Sequence, residues 1–493
     1  MLFSSLLEVS AAKVGIALIT VSLGAVLTRI VYNLCFHPLA GFPGPWYAAS
    51  TSLASTIISL RRVEPQWLMG LVEKYGTDRP IRIAPTMLLF PKTADLKEIY
   101  WDPACNLKSE LYGTGALGPP NLFSTRDGAK HRQLRKALGG TQKMSEFAAA
   151  REEIIISDKV AEFAADTLTM LAFSEPWGFI RNSRDERAFL KSWREGLNYF
   201  GMAARWQWYR NAILKNALLA PYFLPNASDK FGMGYLIAHA DDQVTRREKA
   251  IEAAGDDWKM DKPDLLQHCL DARYDDGSPL NAAEKRAHAT ILIQAGADTT
   301  GTALGCTLRF LLTHPNVMRK ARAEVDAAEK AGKLSDPISY EESRTWLPYL
   351  GACIKESLRL NPPAPNLFAR VVPEGGKCIG TESIPAGTDI TSNAYVVQRD
   401  PALYGPDPEV YRPERWLESP DASKMETGMF VFGTGPRICI GRDIATMELS
   451  KLLPEIIRNF EFKVLDVGKY VVAGGVAFNQ DLRVVLTKRP QTI

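Results

Sequence analysis

Strand-forming runs are scarce and short in this chain, and that scarcity limits the folds open to it. Pro80-Ile81-Arg82-Ile83 and Met87-Leu88-Leu89-Phe90 lie early, and Asp389-Ile390-Thr391 and Leu482-Arg483-Val484-Val485-Leu486 lie late. Most of the remainder has helical spacing. Strands this few cannot build a central parallel sheet, so the expected fold is mainly α, a large helical domain with small peripheral β-sheets. A hydrophobic fraction of 46% with 23% charged residues is that of a globular protein and excludes a disordered, fibrous or polytopic membrane chain. The 59 basic and 56 acidic residues leave a formal charge of +3, too small for a field that attracts nucleic acid.

The first 36 residues differ from the rest. Val14 to Thr28 is uncharged and mostly apolar, lies between Lys13 and Arg29, and is continued by Ile30, Val31, Tyr32, Leu34, Cys35 and Phe36. A membrane anchor over 1–36 is expected, with Arg29 snorkelling toward the headgroups. A cleaved secretory signal is disfavoured because the positive charge comes late and no small-x-small cleavage site follows. Residues 37–46, His37-Pro38-Leu39-Ala40-Gly41-Phe42-Pro43-Gly44-Pro45-Trp46, hold three prolines and read as a stiff connector. No repeat, low-complexity tract or second linker follows, so 47–493 is expected to be one domain.

Seven cysteines (Cys35, Cys105, Cys269, Cys306, Cys353, Cys378 and Cys439) are scattered and never form a CxxC pair. That pattern argues against a disulfide framework and a zinc ribbon, and for a reducing compartment. Cys439 stands apart, within Phe432-Gly433-Thr434-Gly435-Pro436-Arg437-Ile438-Cys439-Ile440-Gly441, directly ahead of a helical pattern running from Arg442 to Phe460. Glycines let a backbone approach a flat ligand, and a loop feeding a helix N-terminus aims amide donors at the sulfur. These are the conditions for a thiolate metal ligand. The bland alternative is a small hydrophobe buried in a turn.

This loop resembles the heme-binding signature of the cytochrome P450 heme-thiolate monooxygenases, with Phe432, Gly435, Arg437, Cys439 and Gly441 in its fixed places. The resemblance implies a cytochrome P450 fold holding heme b, with Cys439 as the axial thiolate. Three further segments, in the family's order, extend it. Asn281 to His314 is a helical stretch with a possible capping box of Asn281 and Glu284 and with Gly296, Gly301 and Gly305 inside, each costing about 1 kcal/mol against alanine. Its Ala295-Gly296-Ala297-Asp298-Thr299-Thr300 is similar to the family's oxygen-binding stretch, where a local distortion makes room over the heme. There Thr299 is expected to hold the reduced oxygen and the water that protonates it, and Asp298 to connect that site to solvent.

Glu356-Ser357-Leu358-Arg359 puts two charges on one helix face, usually a surface pair worth under about 1 kcal/mol. The resemblance implies instead a buried structural triad of Glu356, Arg359 and Arg415, the last from Pro413-Glu414-Arg415-Trp416 with Trp416 for the usual Phe. Lys130-His131-Arg132-Gln133-Leu134-Arg135-Lys136 is similar to the propionate helix, with Arg135 in place and His131 replacing a Trp. Arg370 and Arg437 match other propionate arginines, and a planar bidentate donor suits a carboxylate.

The hinge wording resembles that of membrane-bound fungal enzymes of secondary metabolism. Their activity implies insertion of one oxygen atom from O2 into a hydrophobic small molecule. Electrons would come from NADPH through a reductase, in the endoplasmic reticulum membrane with the catalytic domain cytosolic. Substrate-contacting positions fall on Gly113 to Phe123, Met202 to Asn211, Gln294, Pro365 to Phe368 and Gly475 to Phe478; Trp206, Trp208 and Tyr209 are equally suited to lipid. Oxidative phenol coupling on the same fold, a non-enzymatic heme sensor, and an anchored protein with a merely structural Cys439 are the competing expectations.

Overall fold

The computed structural model describes residues 11–105, 107–117, 153–260 and 264–489. The apolar N-terminal run forms the anchor helix Ala11–Val31, extended by a wider turn at Tyr32–Phe36. The span Val14–Phe36 has a mean hydropathy of 2.1 and, Asn33 apart, is not buried in the protein, so it is long and apolar enough to cross a bilayer with Arg29 near its end. The proline connector does not dangle. Leu39 is buried, the Arg82 amide donates to the Pro43 carbonyl at 2.7 Å, and a Cβ on Gly44 would collide with the Arg82 carbonyl.

Among the described residues the strands form three small sheets. β1 (Ile81–Ala84), β2 (Met87–Leu89), β4 (Arg370–Val371) and β7 (Asp389–Thr391) make a sheet of order β1-β2-β7-β4, in which only the β2–β7 pair is parallel. β3 (Glu153–Ile155), β8 (Phe460–Ala473) and β9 (Val476–Lys488) form a second sheet, and β5 (Lys377–Ile379) pairs with β6 (Glu382–Ile384). All four strand-like runs found in the sequence are strands. The long hairpin β8–β9 was not foreseen at its full length; the helical pattern ahead of it ends at Asn459, and Phe460 already belongs to β8.

Helices build the body. The central helix Ala282–Thr313 lies against Ile156–Phe173, Phe189–Arg205, Gly232–Ala254 and the cysteine helix Arg442–Asn459. The capping box expected at its start is present, Asn281 accepting from the Glu284 amide at 2.9 Å and Glu284 accepting from the Asn281 amide at 3.1 Å. One apolar cluster joins Ala303, Leu304 and Leu308 of the central helix to Leu449 and Leu453 of the cysteine helix, which ties the two segments carrying the candidate chemistry into one core.

Candidate active site

Cys439 lies between the turn Gly435–Arg437 and the cysteine helix, and its thiol is exposed. Its amide donates to the Phe432 carbonyl at 2.8 Å, closing the loop on itself. Gly433 and Gly435 hold φ values of 71° and 73°, and a Cβ on Gly435 would run into the Tyr100 carbonyl. Trp101 braces the loop by donating from Nε1 to Thr434 Oγ1 at 2.8 Å. Four of the other cysteines (Cys105, Cys269, Cys306 and Cys353) are buried; Cys35 ends the anchor and Cys378 sits in the β5–β6 hairpin. Burial pushes the Cys269 thiol up to about 12. Such groups stay protonated and do not bind metals.

Three cations gather near the loop. Arg370 is buried on β4 and donates from Nη1 to the carbonyls of Phe368 and Ala369. Lys108 bridges to Arg370 across the backbone and is buried with its ammonium 4.7 Å from the Tyr112 ring centroid. Burial first, then the charges of Arg437 and Arg370, hold the Lys108 amine well below its ordinary range. Arg437 is half-buried beside Cys439. Two buried cations beside a half-buried third make this a locally positive patch that suits an anion. An exposed thiol in a glycine loop and a buried cation cluster fit a flat group bearing a metal and two carboxylates. Lys108 was not foreseen, because a lone lysine in a loop gives no sequence signal. His131 and Arg135, with Lys130, Arg132 and Lys136, lie outside the described residues.

Ala295 is exposed in the middle of the largely buried central helix. Thr299 donates from Oγ1 to the Ala295 carbonyl at 2.8 Å. The helix runs unbroken, so the local distortion expected there is not seen, and the glycines serve another end. A Cβ on Gly296 would lie 2.5 Å from Leu168, on Gly301 2.5 Å from the Ala161 backbone, and on Gly305 2.6 Å from Asn479. They let the helix Ile156–Phe173 and strand β9 press close.

Asp298, expected to connect the oxygen site to solvent, lies inside the protein. It is 2% exposed and gripped by Arg194, whose Nη2 lies 2.8 Å from Asp298 Oδ1 and whose Nε lies 3.2 Å from both carboxylate oxygens. Arg194 Nη1 reaches Asp158 at 3.2 Å, and the Asp158 side chain is 38% exposed. Arg194, a residue with no motif around it, thus joins the buried Asp298 to the partly exposed Asp158.

The triad is buried as expected. Arg359 clasps Glu356 with two bonds of 2.8 Å, and Arg415 donates to Glu356 Oε1 at 2.9 Å. Trp416 contributes more than the usual Phe, its Nε1 donating to Glu356 Oε2 at 2.9 Å. Burial works to raise the Glu356 carboxyl, but Arg359 and then Arg415 outweigh it and leave it below the ordinary range.

Comparison with known proteins places this architecture. Residues 133–471 match the profile of the Cytochrome P450 family. The chain is 30% identical to the cytochrome P450 monooxygenase gsfF of Penicillium aethiopicum, covering 93% of this chain and 94% of that one. It is 31% identical to the cytochrome P450 monooxygenase aba1 of Botryotinia fuckeliana, covering 92% and 93%. Among solved structures, retinoic acid bound cyanobacterial CYP120A1 superposes with a TM-score of 0.65 over 85% of this chain and 94% of its own, at 19% identity. A mainly helical enzyme of the heme-thiolate class is thereby defined. The chain belongs to the cytochrome P450 family and is a P450 monooxygenase.

Proposed function

We propose that this chain is a membrane-anchored monooxygenase that inserts one oxygen atom from O2 into a hydrophobic small molecule, with heme b held by the Cys439 thiolate. The observation that carries this reading is the pair Thr299 and Asp298 on the central helix, one hydroxyl beside an exposed Ala295 and one carboxylate linked outward through Arg194. A sensor or carrier has no need of that pair. Bound by a thiolate, heme supplies the centre at which dioxygen is activated with two electrons and two protons.

The protein's own groups do the rest. Arg370, Arg437 and Lys108 would neutralise the propionates, with Arg135 and His131 as further candidates; Phe432, Gly435 and Gly441 would shape the loop that receives the group, and the central helix would meet it at the exposed Ala295, whereas Gly296 packs against Leu168. Thr299 Oγ1 holds a water in place for proton delivery, and Asp298 passes protons inward from the Arg194–Asp158 chain. Glu356, Arg359 and Arg415 keep the scaffold of the cysteine loop together. Electrons arrive from NADPH through a flavoprotein reductase. The anchor sits in the endoplasmic reticulum membrane with the globule in the cytosol. Trp46, Leu53, Ile57, Trp208, Leu218 and Tyr222 are exposed apolar side chains that support a lipid-facing surface beside the anchor.

Oxygen-18 labelling of products from microsomes containing the enzyme and its reductase tests the proposal. One labelled atom per product is expected. In Thr299→Ala, incorporation should fall sharply while NADPH is still consumed and hydrogen peroxide is released. Coupled products without label would establish phenol coupling instead. Loss of the thiolate-type carbon monoxide band should occur in Cys439→Ala and not in Cys353→Ala; a normal band in the Cys439 variant would refute the whole reading.

A further inference from the structure

Three segments far apart in sequence meet at one buried guanidinium. Arg205 closes the helix Phe189–Arg205, and Glu64 opens the helix Glu64–Tyr75; both are buried. Arg205 Nε donates to Glu64 Oε1 at 2.6 Å and Nη2 to Oε2 at 2.7 Å, a bidentate pair. The same Nη2 donates to Asn366 Oδ1 at 3.3 Å, and that oxygen also accepts from the Leu367 amide at 2.8 Å. Asn366 is 1% exposed and presses on Gly475, where φ is +83° and a Cβ would overlap the Asn366 side chain. The neighbouring Gly474 is in turn packed against Gly201, whose own Cβ would lie 2.8 Å from the Gly474 Cα. The helix end, the 365–368 loop and the tip of the β8–β9 hairpin thus share one set of contacts. Arg205 and Leu367 also line one cleft with Ile83, Met87 and Leu111, and among the described residues Arg205 Nη1 meets no acceptor there.

We propose that Glu64, Arg205 and Asn366 act together as a positioning lock that fixes the wall formed by Leu367, Phe368 and the hairpin tip, and so decides how bulky a ligand the pocket accepts. The inference rests on the monooxygenase reading, since that reading makes these segments the pocket wall. A buried bidentate ion pair is a poor source of net stability but a strong constraint on geometry, because leaving its fork would strand both charges in the interior. Asn366 transmits that constraint: its side chain holds the backbone of Leu367 and leaves room at Gly475 for glycine alone. None of the three residues needs to touch the ligand.

Two iron-coordinating probes of different bulk separate this role from general support of the fold. Imidazole is too small to reach the wall, whereas clotrimazole fills the space above the ring. Both are titrated into the holoenzyme by difference absorbance, in wild type, Asn366→Ala and Arg205→Lys. For Asn366→Ala the imidazole constant should stay within about twofold, and that for clotrimazole should weaken by roughly tenfold, the worth of one hydrogen bond to a charged group. Arg205→Lys, which keeps the charge but loses the fork, should move the same way. Constants that change together, or neither changing, would overturn the lock. So would failure of both variants to accumulate with a normal carbon monoxide band, since the residues would then serve folding alone. A wild type lacking that band would overturn the monooxygenase reading together with the lock that rests on it, whereas a normal band with unaltered discrimination between the two probes would overturn the lock alone.

Discussion

Arg194 lies between Asp298 and the partly exposed Asp158, and its fork is what allows it to hold both carboxylates. A lysine keeps the charge but is a point donor and cannot span them. Arg194→Lys should therefore retain heme and raise the solvent isotope effect on turnover, as a slower proton supply demands. An unchanged isotope effect would remove Arg194 from the proton route. Glu356 gives a second residue-scale prediction. Glu356→Ala leaves Arg359 and Arg415 buried without their carboxylate, at a cost of about 3–5 kcal/mol, so the variant should fail to accumulate as holoprotein. Because the native carboxyl titrates below its ordinary 4.5, its contribution is complete above that value and is lost as pH falls through the lower native one. Acid unfolding followed by heme release should show that loss below pH 4.5 in wild type. The triad was legible in the sequence because Glu356 and Arg359 lie three apart in a recognisable segment. Arg194 and Arg205 were not, since their partners are 104 and 141 residues away and a single arginine in a helix signals nothing.

Helices are the elements whose pattern was clearest, and the central helix matched its expected bounds to within a residue because a capping box and a proline mark its ends. The glycines inside it were visible, yet their use was not. Gly296 and Gly301 face Leu168 and Ala161 on another helix, a contact that only the packed structure reveals. Gly301→Ala sets the gain in helix propensity, about 1 kcal/mol, against a Cβ 2.5 Å from backbone that cannot rotate away. Overpacking of this kind costs about 1–3 kcal/mol, so the net change should be destabilising, by no more than about 2 kcal/mol. A thermal unfolding midpoint equal to or above wild type would show that the two helices can separate freely. The β8–β9 hairpin hid for a related reason. Charged residues punctuate β8, nearly all of which is exposed or half covered, so its stretch lacks the continuous apolar run by which β2 was found.

At the scale of the whole molecule, the anchor is fastened to the globule and not merely tethered. Arg82 is buried and donates from Nη1 to the Asn33 carbonyl at 2.8 Å and from Nε and Nη2 to the Pro85 carbonyl. Asn33 donates in turn to the Ser50 carbonyl at 2.8 Å. The end of the N-terminal apolar helix, the start of the globule and β1 are therefore joined by buried hydrogen bonds, with the apolar residues Trp46, Leu53 and Ile57 exposed close by in the chain. On the proposed anchored topology the globule lies wholly on one side of the membrane. The sequon Asn226-Ala227-Ser228 reports that side, since Asn226 lies exposed in a turn where its side chain accepts from the Ser228 amide. With a cytosolic globule, wild-type protein made in a glycosylating membrane system should show no mass shift on glycosidase treatment. A sequon grafted ahead of residue 1 should be modified in the same experiment, because the anchor carries that end to the lumen. Modification at Asn226 would place the globule in the lumen and separate it from any cytosolic reductase.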